Sequence, residues 1–343
     1  MPARLLPLLA ETPQSGAVLA AQLGVGRVTV HSLAHDLLAA GVPLLISRRG
    51  YAVAPGTPTP AALRRAGFSG PYRYQAQVGS TQDELRGWAE HPTDPAPSGA
   101  ALLAESQRAG RGRRGRTWLS ADRSSADGSS ADGQDSNGAG QHLSGTGLTF
   151  SVLLRPTSLS SLPLLPLAAG VALRDACRAV LPPDSPQPGL KWPNDLLSAG
   201  GLKLAGVLLE ADLRGEEVRR AVLGIGLNVS AAPPGAAALV DLAPGWSVSR
   251  AELLARILRE LGKWQGAAPG AILDAWRSGN LTLGRAVRVQ TPGGPVVGVA
   301  RDLGPGGELL VRSDSGQILS IGAGDVELIG SLKSPGPPQS RSP

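Results

Sequence analysis

Between Gly110 and Ser120 the chain reads Gly-Arg-Gly-Arg-Arg-Gly-Arg-Thr-Trp-Leu-Ser, with four arginines and three glycines. Glycine at every second or third position destabilises helix and strand alike, so this segment must be a loop in whatever fold surrounds it. Guanidinium groups on such a backbone present fork-shaped donors matched to phosphate and carboxylate. The segment is therefore predicted to handle anions. By itself it fits a nucleic-acid patch as well as a small-molecule cradle.

A chain of 343 residues allows two or three domains, and its formal charge of +6 suits nucleotides, nucleic acid or acidic protein surfaces without choosing among them. The single cysteine, Cys177, lies in an apolar run, which excludes an internal disulfide framework and fits a reducing cytoplasm. The opening Met1-Pro-Ala-Arg-Leu-Leu-Pro-Leu-Leu-Ala10 is too short and too broken by proline for a signal peptide. No later run is long enough to span a bilayer, so no membrane partner is expected. The 33 basic residues comprise 29 arginines and only four lysines, two of which, Lys191 and Lys203, fall close together. Against that background a compact ammonium is marked for local use.

Residues 1–54 read as three short helices and a hairpin, the plan of a winged helix-turn-helix. Ser15 is placed to cap one helix and Gly24 to end it, while Val28, Val30, Leu33, Leu37 and Leu38 repeat at helical spacing. The second helix would expose Arg27, Thr29, His31, Ser32 and His35, and the hairpin turn would carry Arg48 and Arg49, a surface suited to DNA. Residues 55–67, with Pro55, Pro58 and Pro60, read as a linker.

A central α/β domain is expected over 68–276. Its first strand is 72–78, and Gly79-Ser-Thr-Gln-Asp-Glu84 opens a helix in which Ser80 is expected to cap near Asp83. Residues 121–147 repeat Ser-Ser-Ala-Asp-Gly and have almost no apolar residue until Leu143, so they read as a disordered insertion. Order resumes with a strand at 148–154, a helix at 167–180, strands at 204–209 and 220–229, and a helix at 253–264 behind the Ser249/Glu252 capping pattern. Residues 277–330 hold five short β segments that suggest a small barrel, followed by a disordered tail at 331–343. The fold class predicted is α+β and multidomain.

A carboxylic acid attacking the α-phosphate of ATP must bring two anions together, which requires several cations. The arginine loop and Lys203 would supply them. ATP arrives with Mg²⁺, for which Asp195 beside Asn194 is a candidate ligand. Within a Pro-Asn-Asp triplet the same residues also fit a polar turn.

Four motifs stand in order: Glu105 to Trp118, Lys191-Trp-Pro-Asn-Asp195, Lys203-Leu-Ala-Gly-Val207 and Gly224-Ile-Gly-Leu-Asn228. Together they resemble the biotin–protein ligases, and the leading helix-turn-helix with the C-terminal β segments is similar to the bifunctional bacterial form, the biotin operon repressor. That resemblance implies a catalytic domain of the biotin/lipoate ligase type with a mixed sheet and an SH3-like C-terminal barrel. It implies adenylation of biotin by MgATP, then transfer to a lysine of the biotin carboxyl carrier protein of acetyl-CoA carboxylase. No tightly bound prosthetic group is implied. Biotin would meet Ser80, Thr81, Gln82, Gln107, Arg111, Gly112, Arg113, Lys203 and Gly206. The nucleotide side would comprise Trp118, Lys191, Asn194, Asn228 and Arg301. Lys203, Arg111, Arg113 and Asp195 would serve catalysis, with Asp195 toward Mg²⁺. Leu239 and Val240 are the bulky apolar candidates in the second ligand-ordering loop, 230–245. Operator DNA of biotin genes and a homodimer formed with biotinyl-AMP bound would be the further partners. A lipoate–protein ligase shares the adenylation logic, and a ligand-sensing regulator without catalysis shares the helix-turn-helix; the retained Lys203 and loop arginines argue against the latter.

Overall fold

The structure, a computed structural model, describes residues 4–115, 118, 145–156 and 158–329. Most of the insertion expected at 121–147, Arg116, Thr117 and the tail at 331–343 lie outside the described residues.

A short 3-10 turn at Leu6–Leu8 precedes α1 (Gly16–Leu23) and α2 (Arg27–Ala39), which meet at 96°. Ser15 Oγ accepts the Val18 amide to start α1, and Gly24, at φ 67°, ends it in the left-handed region that favours glycine. β1 (Leu44–Ser47) and β2 (Gly50–Val53) form an antiparallel hairpin. Leu5, Leu19, Val30, Leu37 and Val53 are fully buried between these elements. Tyr74 and Ala76 of the next strand pack against this cluster, so the N-terminal unit sits on the edge of the central sheet.

The segment 55–67, expected as a linker, contains α3 (Pro60–Arg65), capped by Thr59. Ala62 and Leu63 join the main core, so the segment is packed rather than a free tether.

Seven strands build the central sheet: β3 (Tyr72–Val78), β4 (Ala101–Gln107), β5 (Gly147–Leu154), β6 (Gly189–Lys191), β7 (Asp195–Leu197), β8 (Lys203–Arg214) and β9 (Glu217–Asn228). Their order is β3-β4-β5-β9-β8-β7-β6, with β3 and β4 parallel and the other pairs antiparallel. α4 (Thr81–Ala89) connects β3 to β4 and lays Leu85 and Trp88 against Leu102, Leu153 and Val222. α5 (Leu164–Val180), α6 (Arg250–Gln265) and α7 (Pro269–Ser278) pack into the larger core with Phe150, Val152 and Leu154. Alternate residues of β5 thus serve two cores, which is why the strand is mostly apolar, with Thr149 and Ser151 its polar residues.

The five C-terminal segments form β10 (Ala286–Thr291), β11 (Gly294–Leu303), β12 (Leu309–Arg312), β13 (Ile318–Ile321) and β14 (Asp325–Leu328). They pair antiparallel in the order β13-β12-β11-β10-β14. Val287, Val289, Leu309 and Val311 continue the main core into this sheet. Among the described residues no single helix is long and apolar enough to cross a membrane.

Two expectations change locally. Ser80 occupies the position before α4, but its side chain makes no capping bond; Gln107 Oε1 accepts the Thr81 amide instead, at 2.8 Å. The helix expected at 167–180 begins three residues earlier, at Leu164.

Candidate functional site

A cavity of about 370 Å³ opens where the start of α4, the end of β4, the glycine-rich loop, the β6–β7 turn and strands β8, β9 and β14 converge. Its floor is laid by glycines, each lying under one site side chain. A β-carbon on Gly224 would stand 2.8 Å from Gln82 Cδ, and one on Gly206 would stand 3.0 Å from Lys203 Nζ. One on Gly226 would overlap the Trp118 indole. Glycine is needed in β8 and β9 because these side chains lie directly on the sheet.

At the α4 end the polar groups are hydrogen-bonded, with Thr81 and Gln82 buried. Thr81 Oγ1 lies 3.0 Å from Gln107 Oε1 and 2.8 Å from Ser151 Oγ. Gln82, 3% exposed, donates Nε2 to the Leu208 and Val222 carbonyls at 3.4 Å. Those long bonds leave its amide available to a shaped polar ligand.

At the other end lie the cations. Lys203 Nζ is 2.6 Å from Asp195 Oδ1, and Lys191 Nζ is 3.9 Å from Asp195 Oδ2. The Lys203 ammonium also stands 5.9 Å from the Trp118 ring centroid. Arg113 Nη1 donates to Asn194 Oδ1 at 3.2 Å and lies 3.5 Å from Asp325 Oδ1. Asn194 donates in turn to the Val207 carbonyl at 2.5 Å, which fixes the turn between β6 and β7 against β8. Asn228 donates to the Ala237 carbonyl at 3.2 Å, tying β9 to the following loop. Such a cavity holds a ligand with a compact polar head near Gln82 and an anionic end near Lys203 and Arg113.

Two family models match the sequence: "Biotin/lipoate A/B protein ligase family" over residues 132–228 and "Biotin protein ligase C terminal domain" over 282–329. The biotin–[acetyl-CoA-carboxylase] ligase of Mycobacterium tuberculosis is 36% identical over 260 residues, covering 73% of this chain and 86% of that relative. The chain belongs to the biotin protein ligase family. The bifunctional ligase/repressor BirA of Bacillus subtilis is 28% identical over 335 residues, covering 92% of this chain and 93% of its own. A solved biotin protein ligase of Aquifex aeolicus, in complex with biotin and ATP, superposes with a TM-score of 0.59 at 28% identity, covering 77% of this chain and all of that one.

The cavity gathers most of the residues to which the likeness to biotin protein ligases pointed: Thr81, Gln82, Gln107, Arg111, Gly112, Arg113, Trp118, Lys191, Asn194, Asp195, Lys203, Gly206 and Asn228 line it. Ser80 is buried behind the lining rather than in it, and Arg301 is exposed on β11 beside a register shift. The C-terminal sheet instead sends in Asp325 and Val326 from β14. Leu239 is fully buried in the core, and the loop after β9 presents Pro233, Pro234 and Ala236 to the cavity. Asp195, expected toward Mg²⁺, forms an ion pair with Lys203. Among the described residues no three His, Cys, Asp or Glu side chains converge as a metal site.

Sequence reasoning missed Asp83, Glu210, Asp325 and Trp192. Trp192 is 2% exposed; its indole N–H donates to the Gly307 carbonyl at 2.9 Å and its amide donates to Thr282 Oγ1 at 3.0 Å. It joins the Lys-Trp-Pro-Asn-Asp turn to the C-terminal sheet. A tryptophan inside a polar motif was the available signal. Far from this cavity in sequence, Arg27, Thr29, His31, Ser32, His35, Arg48 and Arg49 are all exposed on α2 and the β1–β2 turn. His31 Nδ1 lies 3.2 Å from Tyr51 Oη of the hairpin, which holds helix and hairpin together.

Proposed function

We propose that the protein is an ATP-dependent biotin–protein ligase with a DNA-binding arm. The observation that carries this reading is the cavity itself, where buried Gln82 and Thr81 stand at one end and Lys203, Arg113 and Trp118 at the other. The relative solved with biotin and ATP supports it. A biotin carboxylate oxygen attacks the α-phosphorus of MgATP, the bond to the bridging oxygen breaks, and pyrophosphate leaves. Lys203 and Arg113 neutralise the approaching anions, Trp118 packs beside the nucleotide, and Asn194, Lys191 and Asn228 hold its polar edges. Mg²⁺ would come with the nucleotide phosphates; Asp195, which lines the cavity and orients Lys203, would be a carboxylate available to it. A lysine amine of a biotin carboxyl carrier protein then attacks the mixed anhydride carbonyl, AMP leaves and the amine loses a proton. The glycine-rich loop shields the anhydride from water.

Incubating the protein with MgATP, a carboxyl-carrier domain and either biotin or lipoate tests this. Biotin-dependent pyrophosphate release and a mass gain on the carrier are expected, and their absence would sink the reading.

The N-terminal unit extends the proposal to a winged helix-turn-helix repressor. Its 96° helix pair, exposed polar face on α2 and paired arginines at the hairpin turn fit duplex DNA, and a BirA relative matched over 92% of this chain supports it. Binding to biotin-gene operator DNA should tighten when biotin and ATP are added, as a homodimer forms around bound biotinyl-AMP, and weaken with salt. Ligand-independent, salt-sensitive binding would leave only a basic surface. A cytoplasmic location accords with the buried free thiol of Cys177.

A further inference from the structure

Arg111 is the first arginine of the glycine-rich loop, yet its guanidinium is held by two carboxylates before any substrate arrives. Nη1 and Nη2 hold Asp83 Oδ2 and Oδ1 at 2.6 and 2.7 Å, and Nε and Nη2 reach Glu210 Oε1 and Oε2 at 3.2 Å. Asp83 and Glu210 are also shared with Arg86, at 3.2 and 2.7 Å. Two cations and two carboxylates therefore close a ring across α4, β8 and the loop. Bringing Arg111 onto a substrate anion would exchange a bidentate Asp83 contact for one new anion and leave two carboxylates on Arg86 alone. The exchange is unfavourable.

The base of the loop is fixed at the same place. The Arg108 and Ala109 amides donate to the Val78 and Gly79 carbonyls at 3.0 and 2.8 Å, and the Trp118 amide donates to the Gly110 carbonyl at 3.0 Å. With the Arg111 guanidinium fastened at the cavity wall, Gly112 and Arg113 are the next residues along the loop that line the cavity. We propose that Asp83 and Glu210 are positioning residues that anchor the glycine-rich loop through Arg111, so that Arg113 and the loop main chain, rather than the Arg111 guanidinium, meet the substrate anions. This rests on the ligase reading for its substrates, but the anchor itself does not.

The side chains of Asp83, Arg111 and Glu210 are 56%, 35% and 26% exposed, so the ring contributes little to global stability and its variants should fold. Amide hydrogen exchange over residues 110–115, measured on the ligand-free full chain, should quicken about tenfold in both Arg111→Ala and the double variant Asp83→Asn/Glu210→Gln. Unchanged exchange in either overturns the anchor whether or not the protein is a ligase. With biotin and MgATP, both variants should release the biotinyl adenylate faster by a similar factor, about tenfold, and combining all three changes should add nothing further. If Arg111→Ala loses adenylation rate while the carboxylate variant keeps parental rate and release, Arg111 acts directly on the anion and the proposal fails. If the unaltered protein forms no adenylate, the ligase reading fails and the exchange data alone decide the anchor.

Discussion

The indole of Trp118 lies directly on Gly226, so closely that a β-carbon at that position would occupy the ring. The glycine-rich loop and the last motif of β9 are thus two halves of one surface. Gly226→Ala should displace Trp118 and cut adenylation at least about tenfold, because relieving such an overlap typically costs 1–3 kcal/mol. Tryptophan emission and pyrophosphate release together check it; parental values for both would mean the loop repacks freely.

Lys203 is the ammonium between Asp195 and the Trp118 ring. Lys203→Ala should lower the adenylation rate by about 100-fold, the usual scale for removing a positioned charge from a transition state. Lys203→Arg should recover little of it, since a planar fork places its charge differently from the compact ammonium that meets Asp195. Single-turnover pyrophosphate release measures both.

Glu105 and Arg250 form a bidentate pair at 2.7 and 2.9 Å, with side chains 1% and 9% exposed. Arg250 also donates to the Gly147 carbonyl at 3.0 Å and Tyr74 Oη donates to Glu105 at 2.6 Å. Glu105→Gln leaves the guanidinium buried without its countercharge, and a loss of about 3–5 kcal/mol in urea unfolding is expected. A change below 1 kcal/mol would mean water reaches the pair.

Burial raises the Tyr72 and Tyr74 phenols well above their ordinary range, with the Glu105 charge adding to the effect, and burial pushes the Cys177 thiol up to about 12. In the unfolded chain the thiol ionises near pH 8.5 and the phenols near pH 10, while the folded groups stay protonated. Their contribution to stability is therefore fully present at neutral pH and is lost as pH rises through the alkaline range. The urea midpoint should fall between pH 8 and pH 11, less steeply in Tyr74→Phe. At pH 8 a thiol reagent should modify Cys177 only after unfolding.

Much of the architecture was legible before any tertiary structure. Helical spacing marked α1, α2 and α6, alternation marked β3, and short β segments between glycines marked the C-terminal strands. Shorter or masked signals were not. β6 and β7 have three residues each, too few for a period, and α3 hides behind Pro58 and Pro60 in what reads as a linker. Ser80 looks like a cap by residue type, but Gln107 reaches across from β4 to take the Thr81 amide.

The motifs alone determined that anion-handling groups, a polar ligand end and glycine-lined strands belong to one chain, because residue chemistry is local and survives without coordinates. Which partners each arginine of the loop takes was decided only by folding. Arg111 and Arg113 are two residues apart and chemically alike, yet Asp83, 28 residues away, and Glu210, 99 residues away, capture the first, while Asn194 and Asp325 receive the second. Likewise Asp325 enters the site and Arg301 turns outward because the register of β11 and β14, not the identity of either residue, sets the direction of each side chain. Partnership between distant charges depends on tertiary contact, and that information is absent from spacing along the chain.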